Sequence, residues 1–457
     1  MGRKLLLLFS LMFVMGLMLI PESSQAMPMF ARKYGADCTM CHTNVAQLNK
    51  VGFDFKAAGF RMPNEVGKDT GAFKMEDYWA GRISVKAQYS NHFDNTGASA
   101  NYQRAGIEAG SVTMYPMTGA WGKNFGTHVE LSISRQAGAE DPGTISIANL
   151  WALGVFGDEN QFFTARVGTM EAMTAANSTA TGSNLGFPSS LAITSKASGN
   201  PAAYSGSAAL LVASGGTESG IELGYNNVVS GTSLFAKITD GIWYSGTGGV
   251  ASDYSFGSYA GFFSSTNGTT PNRPSYGLTA NQFIGDGCIT AVWYNGLLNN
   301  VPFGLPVLNA AGRYVNGAST ANDTTNRLSI YGQYWVVPSK ITLIAGFLYG
   351  NDSYDNAAFK TNVLNGSSTT YSTTWFGDVE YHISPLTVFA LSYSNTNPTS
   401  MTGLAHIPQI TQVALGENSR FNQWMYLNTT FTYKTTQYTT GGYFADAVLG
   451  STLSVIF

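Results

Sequence analysis

Charge is scarce in this 457-residue chain: 24 Lys and Arg with 27 Asp and Glu make up 11% of it, less than half of the roughly 25% usual in soluble globular domains. A large soluble enzyme is therefore a poor fit. The formal net charge of −3 leaves no cationic excess to neutralise phosphates, so no nucleic acid is expected as a partner. Cysteine is nearly absent, and an odd number, three, makes no disulfide framework. After residue 20 no long apolar run occurs, which removes later transmembrane helices. What is present is apolar and aromatic: 44% of residues are hydrophobic and 13% are Phe, Tyr or Trp, too much for a disordered chain. Glycine is abundant at 52, and with Tyr, Thr, Ser and Asn it favours many short strands and turns. A mean hydropathy near zero with so few charges fits apolar and uncharged polar residues in alternation, one face toward lipid and one toward water.

Arg3 and Lys4 precede an apolar run from Leu5 to Ile20, Pro21 ends it, and Ser24-Gln25-Ala26 supplies the small residues a signal peptidase reads. The run is shorter than the ~20 residues of a spanning helix, so residues 1–26 read as a signal peptide. The exported remainder can then enter a membrane only as a closed barrel, which satisfies its own backbone in lipid.

Two of the cysteines lie in Cys38-Thr39-Met40-Cys41-His42, the C-x-x-C-H spacing of c-type haem attachment. Two thiols add across the haem vinyl groups, and the adjacent His42 becomes the proximal iron ligand. A zinc site would need a second pair of soft ligands, and a disulfide would give no reason for His42. One covalent haem c is therefore expected. Cys288, beside the Gly285-Asp286-Gly287 turn, reads as an inert buried or lipid-facing thiol.

Residues 27–77 form the expected monohaem cytochrome c domain. They hold 13 charges, about a quarter of the segment and ordinary for a soluble unit. Val45, Leu48, Gly52, Phe55 and Gly59 recur at helical spacing from Asn44 to Phe60, which predicts a haem-facing stripe with Asn44, Gln47, Lys50, Asp54 and Lys56 solvated. Gly59 is the expected helix stop, with Pro63 after it. Met62 follows at a sensible distance for a second iron ligand, and equally for a packing residue at a linker; Met75 is a weaker candidate. So small a unit cannot bury a porphyrin alone, and the rest of the chain is the natural shield.

From residue 78 the period changes to two. Trp79, Gly81, Ile83, Val85, Ala87 and Tyr89 alternate with Ala80, Arg82, Ser84, Lys86 and Gln88. Residues 375–384 repeat the pattern, with Phe376, Asp378, Glu380, His382 and Ser384 on a face that must line a lumen. Fourteen more segments, at 104–116, 124–135, 144–156, 161–170, 205–214, 219–229, 231–243, 274–284, 288–297, 327–336, 341–350, 386–394, 423–434 and 448–457, bring the count to about 16 antiparallel strands. Residues 78–457 are thus expected to be an all-β transmembrane β-barrel of the outer-membrane porin kind, touching outer-membrane lipid, with the small α-helical N-terminal cytochrome domain plugging its lumen. Long connections near 171–203, 244–272, 298–325, 351–371 and 395–419 contrast with short turns such as Pro338-Ser339-Lys340. Their alternation fails between 205 and 243 and again near the C-terminus, so the count carries an error of about two strands. The last segment alternates apolar residues up to Phe457, as terminal strands of outer-membrane barrels do. Lumen-facing His128, Glu130, Asp378, Glu380 and His382 are candidate contacts to the plug or haem, and Asp352 and Asp355 are candidate loop acids for a cation.

The stretch Ala26-x-Pro28-x-Phe30-Ala31-Arg32-x-x-Gly35-x-x-Cys38-x-x-Cys41-His42, followed by Leu48, Gly52, Phe55-Lys56 and Gly59-Phe60, resembles the haem module of the fused monohaem cytochrome-porins, outer-membrane cytochromes of iron-oxidising bacteria. The close match covers some 35 residues, and two positions depart from it: Lys33-Tyr34 in place of a usual Gln-Thr, and Ala46 where Pro is common. The resemblance implies a protein of the Gram-negative outer membrane with its haem domain on the periplasmic side or inside the barrel. It would take an electron from extracellular Fe(II) and pass it to a periplasmic cytochrome, acting as an Fe(II):cytochrome c oxidoreductase. Outward electron transfer to an extracellular acceptor and a solute porin with a structural or sensory haem are the alternative uses of the same architecture.

Overall fold

The computed structural model describes residues 28–36, 38–43, 48–71, 74–95, 101–134, 144–170, 172–175, 218–239, 242–245, 249–251, 274–308, 314–354, 369–384, 386–398, 409–421, 425–437 and 442–457. The signal segment 1–26, the strand expected at 205–214, residues 44–47 and Asp355 lie outside them.

Among the described residues three short strands, Gly119–Trp121, Ile242–Ser245 and Gly249–Ala251, join a sheet whose sixteen long strands close into an antiparallel barrel. In chain order they are β1 (Trp79–Asp94), β2 (Tyr102–Pro116), β3 (Phe125–Ser134), β4 (Thr144–Gly157), β5 (Gln161–Met170), β6 (Glu218–Asn227), β7 (Thr232–Thr239), β8 (Ser275–Ile284), β9 (Gly287–Leu308), β10 (Tyr314–Val337), β11 (Ile341–Tyr354), β12 (Thr369–Ser384), β13 (Thr387–Pro398), β14 (Gln409–Arg420), β15 (Met425–Gln437) and β16 (Tyr443–Ile456). Each pairs with its neighbour, and β1 pairs with β16 from Arg82↔Ile456 to Asp94↔Phe444, which leaves no sheet edge. At the seam Gly81 and Phe457 exchange both backbone hydrogen bonds, and the Phe457 ring lies where a Gly81 Cβ would stand.

Sixteen long strands match the expected number, and one of them was not among the expected segments. Residues 409–420, expected inside a long connection, form β14. With β14 included, the longest connections, 171–217, 240–274, 355–368 and 399–408, all follow odd strands, and from β4 onward every even strand ends in a turn of four residues or fewer. The segment 298–325 is also largely strand, because β9 and β10 extend to 22 and 24 residues, well beyond the 9–11 that cross a bilayer. Past the lipid band nothing selects an apolar outer face, so the period-two signal fades there.

The two faces separate as the sequence requires. On β12 the outward Trp375, Val379, Tyr381 and Ile383 are 45–61% exposed, whereas the inward Phe376, Asp378, Glu380 and His382 are 2–5% exposed. Cys288 is buried on the inner side in a cluster with Val292 and Tyr331. After β5 the chain turns inward: Met173 and Ala175 are buried, and Asn281 of β8 donates to the Met173 carbonyl and accepts from the Ala175 amide.

The N-terminal unit packs against this inner wall. It comprises α1 (Pro28–Tyr34), a single turn at Cys38–Met40, α2 (Lys50–Ala57) and two further turns leading into β1. Gly59 ends the helical region with φ +69°, and the Phe60 amide reaches back to the Phe55 carbonyl. Asp54, expected in solvent, is buried and ion-paired to Lys50 at 2.6 Å. The reason is the wall: α2 is covered on more than one side, with Phe53 against Phe235 and Phe283 of the barrel while Phe55 joins Phe30 and Phe60 within the unit.

Candidate functional site

The turn carrying the C-x-x-C-H motif is held mainly by Asn49. Its side-chain amide donates to the carbonyls of Thr39 (3.2 Å) and Met40 (3.0 Å), its carbonyl oxygen accepts from the Gly52 amide (3.0 Å), and its backbone amide donates to the Cys41 carbonyl (2.9 Å). Asn49 is thus the N-cap of α2 and the clamp of the motif in one residue. His42 extends the clamp through a β-bridge to Leu48. Gly52 closes the arrangement, because a Cβ there would stand 2.1 Å from the Cys41 carbonyl oxygen. Gly52→Ala is therefore expected to push the motif off α2, at a cost of about 1–3 kcal/mol for overpacking against backbone, read as faster proteolysis of the N-terminal unit beside an unchanged barrel.

Cys41 is a half-buried free thiol, and burial raises its pKa above the ordinary value. Cys38 opens the turn. A free Cys41, the adjacent His42 and a turn fixed from behind by Asn49 and Gly52 suit covalent haem c. Among the described residues no group of three or more His, Cys, Asp and Glu converges as a metal cluster. Met62 is half-buried, packs against the buried aromatic cluster, and its amide donates to Glu65 (3.1 Å). Met75 is 72% exposed on the last turn before β1.

The site is fastened to the barrel chiefly by Arg61, which the sequence did not single out, together with Gly59, Phe60 and the expected plug contact His128. Arg61 is fully buried and donates to the carbonyls of Ala58, Gly122, Lys123 and Phe125, joining the unit to the start of β3. Burial lowers its pKa, yet a guanidinium stays charged. Phe60 stacks on Trp151 (5.5 Å) and on His128 (5.4 Å). Gly59 and Gly126 approach so closely that a Cβ on Gly126 would meet the Gly59 carbonyl at 2.6 Å. At the β1 end Arg32 donates to the carbonyls of Glu76 and Trp79, and the Tyr78 hydroxyl donates to the Ala120 carbonyl. Tyr34 donates to Glu65 at 2.8 Å; burial first, then this bond, raise its pKa.

Of the lumenal candidates, His128 meets the N-terminal unit through the Phe60 stack. Glu130 accepts from Asn149 (2.9 Å) and Tyr115 (3.3 Å) and lies 3.6 Å from His128. His382 contacts Thr342, Glu380 and Trp335, all of the barrel wall. Asp352 is on β11, and its side chain is outside the described set.

No family model and no curated protein matches the chain. Among solved structures the outer-membrane channel DcaP of Acinetobacter baumannii is similar with a TM-score of 0.50 at 13% identity, over 83% of this chain and 96% of that one. OmpT of Vibrio cholerae has a TM-score of 0.47 at 11% identity (82% and 96% covered), and the anion-selective porin from Comamonas acidovorans 0.46 at 11% (82% and 98%). The closed antiparallel barrel together with the DcaP likeness defines the class: this is a porin-like barrel with the fold of Gram-negative outer-membrane proteins. In this chain a helical unit, α1 and α2 with their turns, is fastened to the inner wall of that barrel.

Proposed function

We propose that the chain is an outer-membrane c-type cytochrome that takes one electron at a time from Fe(II) outside the cell and delivers it to a periplasmic cytochrome. The observation that carries this reading is the C-x-x-C-H turn on a unit packed against the inside of a closed barrel. An apolar band of ~25 Å separates the two aqueous sides, too thick for one electron step without an intermediate centre. Cys38 and Cys41 would hold the group through thioethers, His42 would ligate the iron, and Met62 is the candidate second ligand. Bound there, a c-type haem supplies a one-electron centre that alternates between the ferric and ferrous states. Asn49 and Gly52 orient the turn, Arg61, Phe60 and Phe53 seat the unit as a lumen plug, and the wall excludes bulk water from it.

The test is an anaerobic spectroelectrochemical titration of the purified protein followed by addition of Fe(II). Reduction of the haem by Fe(II) at a high midpoint potential, as Met–His ligation favours, is the expected result. Failure of Fe(II) to reduce it would remove the iron-oxidising reading. A low-potential bis-His spectrum would instead assign outward electron flow, and open-channel conductance in a lipid bilayer without redox activity would assign a solute porin.

A further inference from the structure

Asp378, on the inner face of β12, is a carboxylate without a counterpart. It is 2% exposed, and neither of its side-chain oxygens has a hydrogen-bond partner. Among the described residues no lysine or arginine pairs with it. Glu380 follows two residues later on the same face and is also buried. The rise of a strand sets the two Cα atoms about 7 Å apart, within reach of one ion held between the side chains.

The neighbouring inner positions add acceptors and no cation. Across the two ladders Asp378 is flanked by Ile344 of β11 and Ser392 of β13, and Glu380 by Thr342 and Ala390. One strand beyond Ile344, Gln333 leaves its buried Oε1 unpartnered as well. His382 continues the row, with its Nε2 3.2 Å from the Thr342 hydroxyl and 3.6 Å from Glu380 Oε2. An imidazolium there would answer Glu380 and leave Asp378 as it is. A carboxylate taken out of water needs hydrogen bonds or a counter-charge, and the protein gives Asp378 neither.

We propose that Asp378 and Glu380 form a binding site for a divalent metal cation of the hard, oxygen-preferring kind. Carboxylate and water are the ligands such ions take, and one or two protein carboxylates suffice where water completes the shell. The described residues hold no cluster of three metal-binding groups, so the chain supplies two carboxylates and water the remainder. His382, hydrogen-bonded to Thr342, positions Glu380 and is not itself a ligand. The site uses neither the haem nor the Cys38–His42 turn, so its test is independent of the electron-transfer reading.

The probe is Mn(II), followed by electron paramagnetic resonance on chelator-treated full-length protein for the wild type, Asp378→Asn, Glu380→Gln and His382→Gln. The wild type is expected to bind one Mn(II) that both carboxylate variants bind more than about 100-fold more weakly. His382→Gln should weaken it about tenfold, the scale on which losing a group that only orients a ligand acts. Thermal melting supplies a second sign: Mn(II) should raise the wild-type transition and not that of Asp378→Asn, whereas without metal the isosteric amide should melt higher than the carboxylate it replaces. If Asp378→Asn does not assemble, Glu380→Gln and chelator treatment of the wild type make the same comparison. Equal Mn(II) titrations in the wild type and both carboxylate variants would overturn the site. So would an infrared band of a protonated carboxyl that is absent from Asp378→Asn and unmoved by saturating Mn(II), because a proton would then be the counter-charge.

Discussion

Replacing Cys41 with Ala is expected to abolish normal covalent haem attachment, and His42→Ala to keep the thioethers but change the spectrum and potential, while the barrel assembles in both. Under the proposed attachment Cys41 would supply a thioether that Cys288, buried in the wall of β9, cannot provide. His42 adjoins Cys41 and is held by its backbone bridge to Leu48, so replacing its side chain would remove the proposed iron ligand without disturbing the clamp made by Asn49. Groups that only orient a metal ligand cost about 10–100-fold when removed, so loss of a ligand itself should cut Fe(II)-dependent reduction by more than about 100-fold. Barrel closure rests on the β1–β16 ladder and the outward apolar face, neither of which uses the motif. A haem-stained denaturing gel with circular dichroism reads both parts. An unchanged spectrum and potential in His42→Ala would show that the site is assigned to the wrong residue.

The strands were legible where lipid selects one face and water the other. β12 is the clear case, since Trp375, Val379 and Tyr381 alternate with Asp378, Glu380 and His382. β14 was not, because its buried face carries Ile410, Gln412 and Ala414 while Val413 and Leu415 stand on the other; the two faces hardly differ in hydropathy. The C-x-x-C-H spacing is a local pattern that a sequence carries on its face, whereas the fastening of its turn to the wall is not. Asp54 reads as a solvated helix position until the wall covers α2. Arg61 reads as a surface charge until the carbonyls of residues 122–125, some 60 positions later, fold over it. A sequence read locally records periodicity, and long-range burial enters only when the barrel closes around the unit.

Arg61→Met is expected to release the N-terminal unit from the wall and open the lumen. The guanidinium is fully buried and serves the carbonyls of Gly122, Lys123 and Phe125, 2.6 Å away in the last case, besides the local carbonyl of Ala58. Hydrogen bonds from a charged donor contribute about 1.5–3 kcal/mol, and a buried acceptor left unsatisfied costs about 1–3 kcal/mol. Methionine preserves much of the volume and none of the donors, so the docking should weaken by more than about 3 kcal/mol. The Phe60 stack on Trp151, at about 0.5–1.5 kcal/mol for an aromatic pair, is too small to offset that loss. Arg61→Lys should recover only part, because a single ammonium cannot match a planar fork across several carbonyls. In lipid bilayers the expected sign is higher single-channel conductance for Arg61→Met than for the wild type, with faster trypsin cleavage at Lys50 and Lys56 and an unaltered barrel melting transition. Equal conductance and equal protection would mean that Phe53 and Phe60 hold the unit without Arg61. The barrel transition separates this from misfolding: it should move little, since the carbonyls freed lie at a short-turn end and the strand ladders on either side keep their own hydrogen bonds.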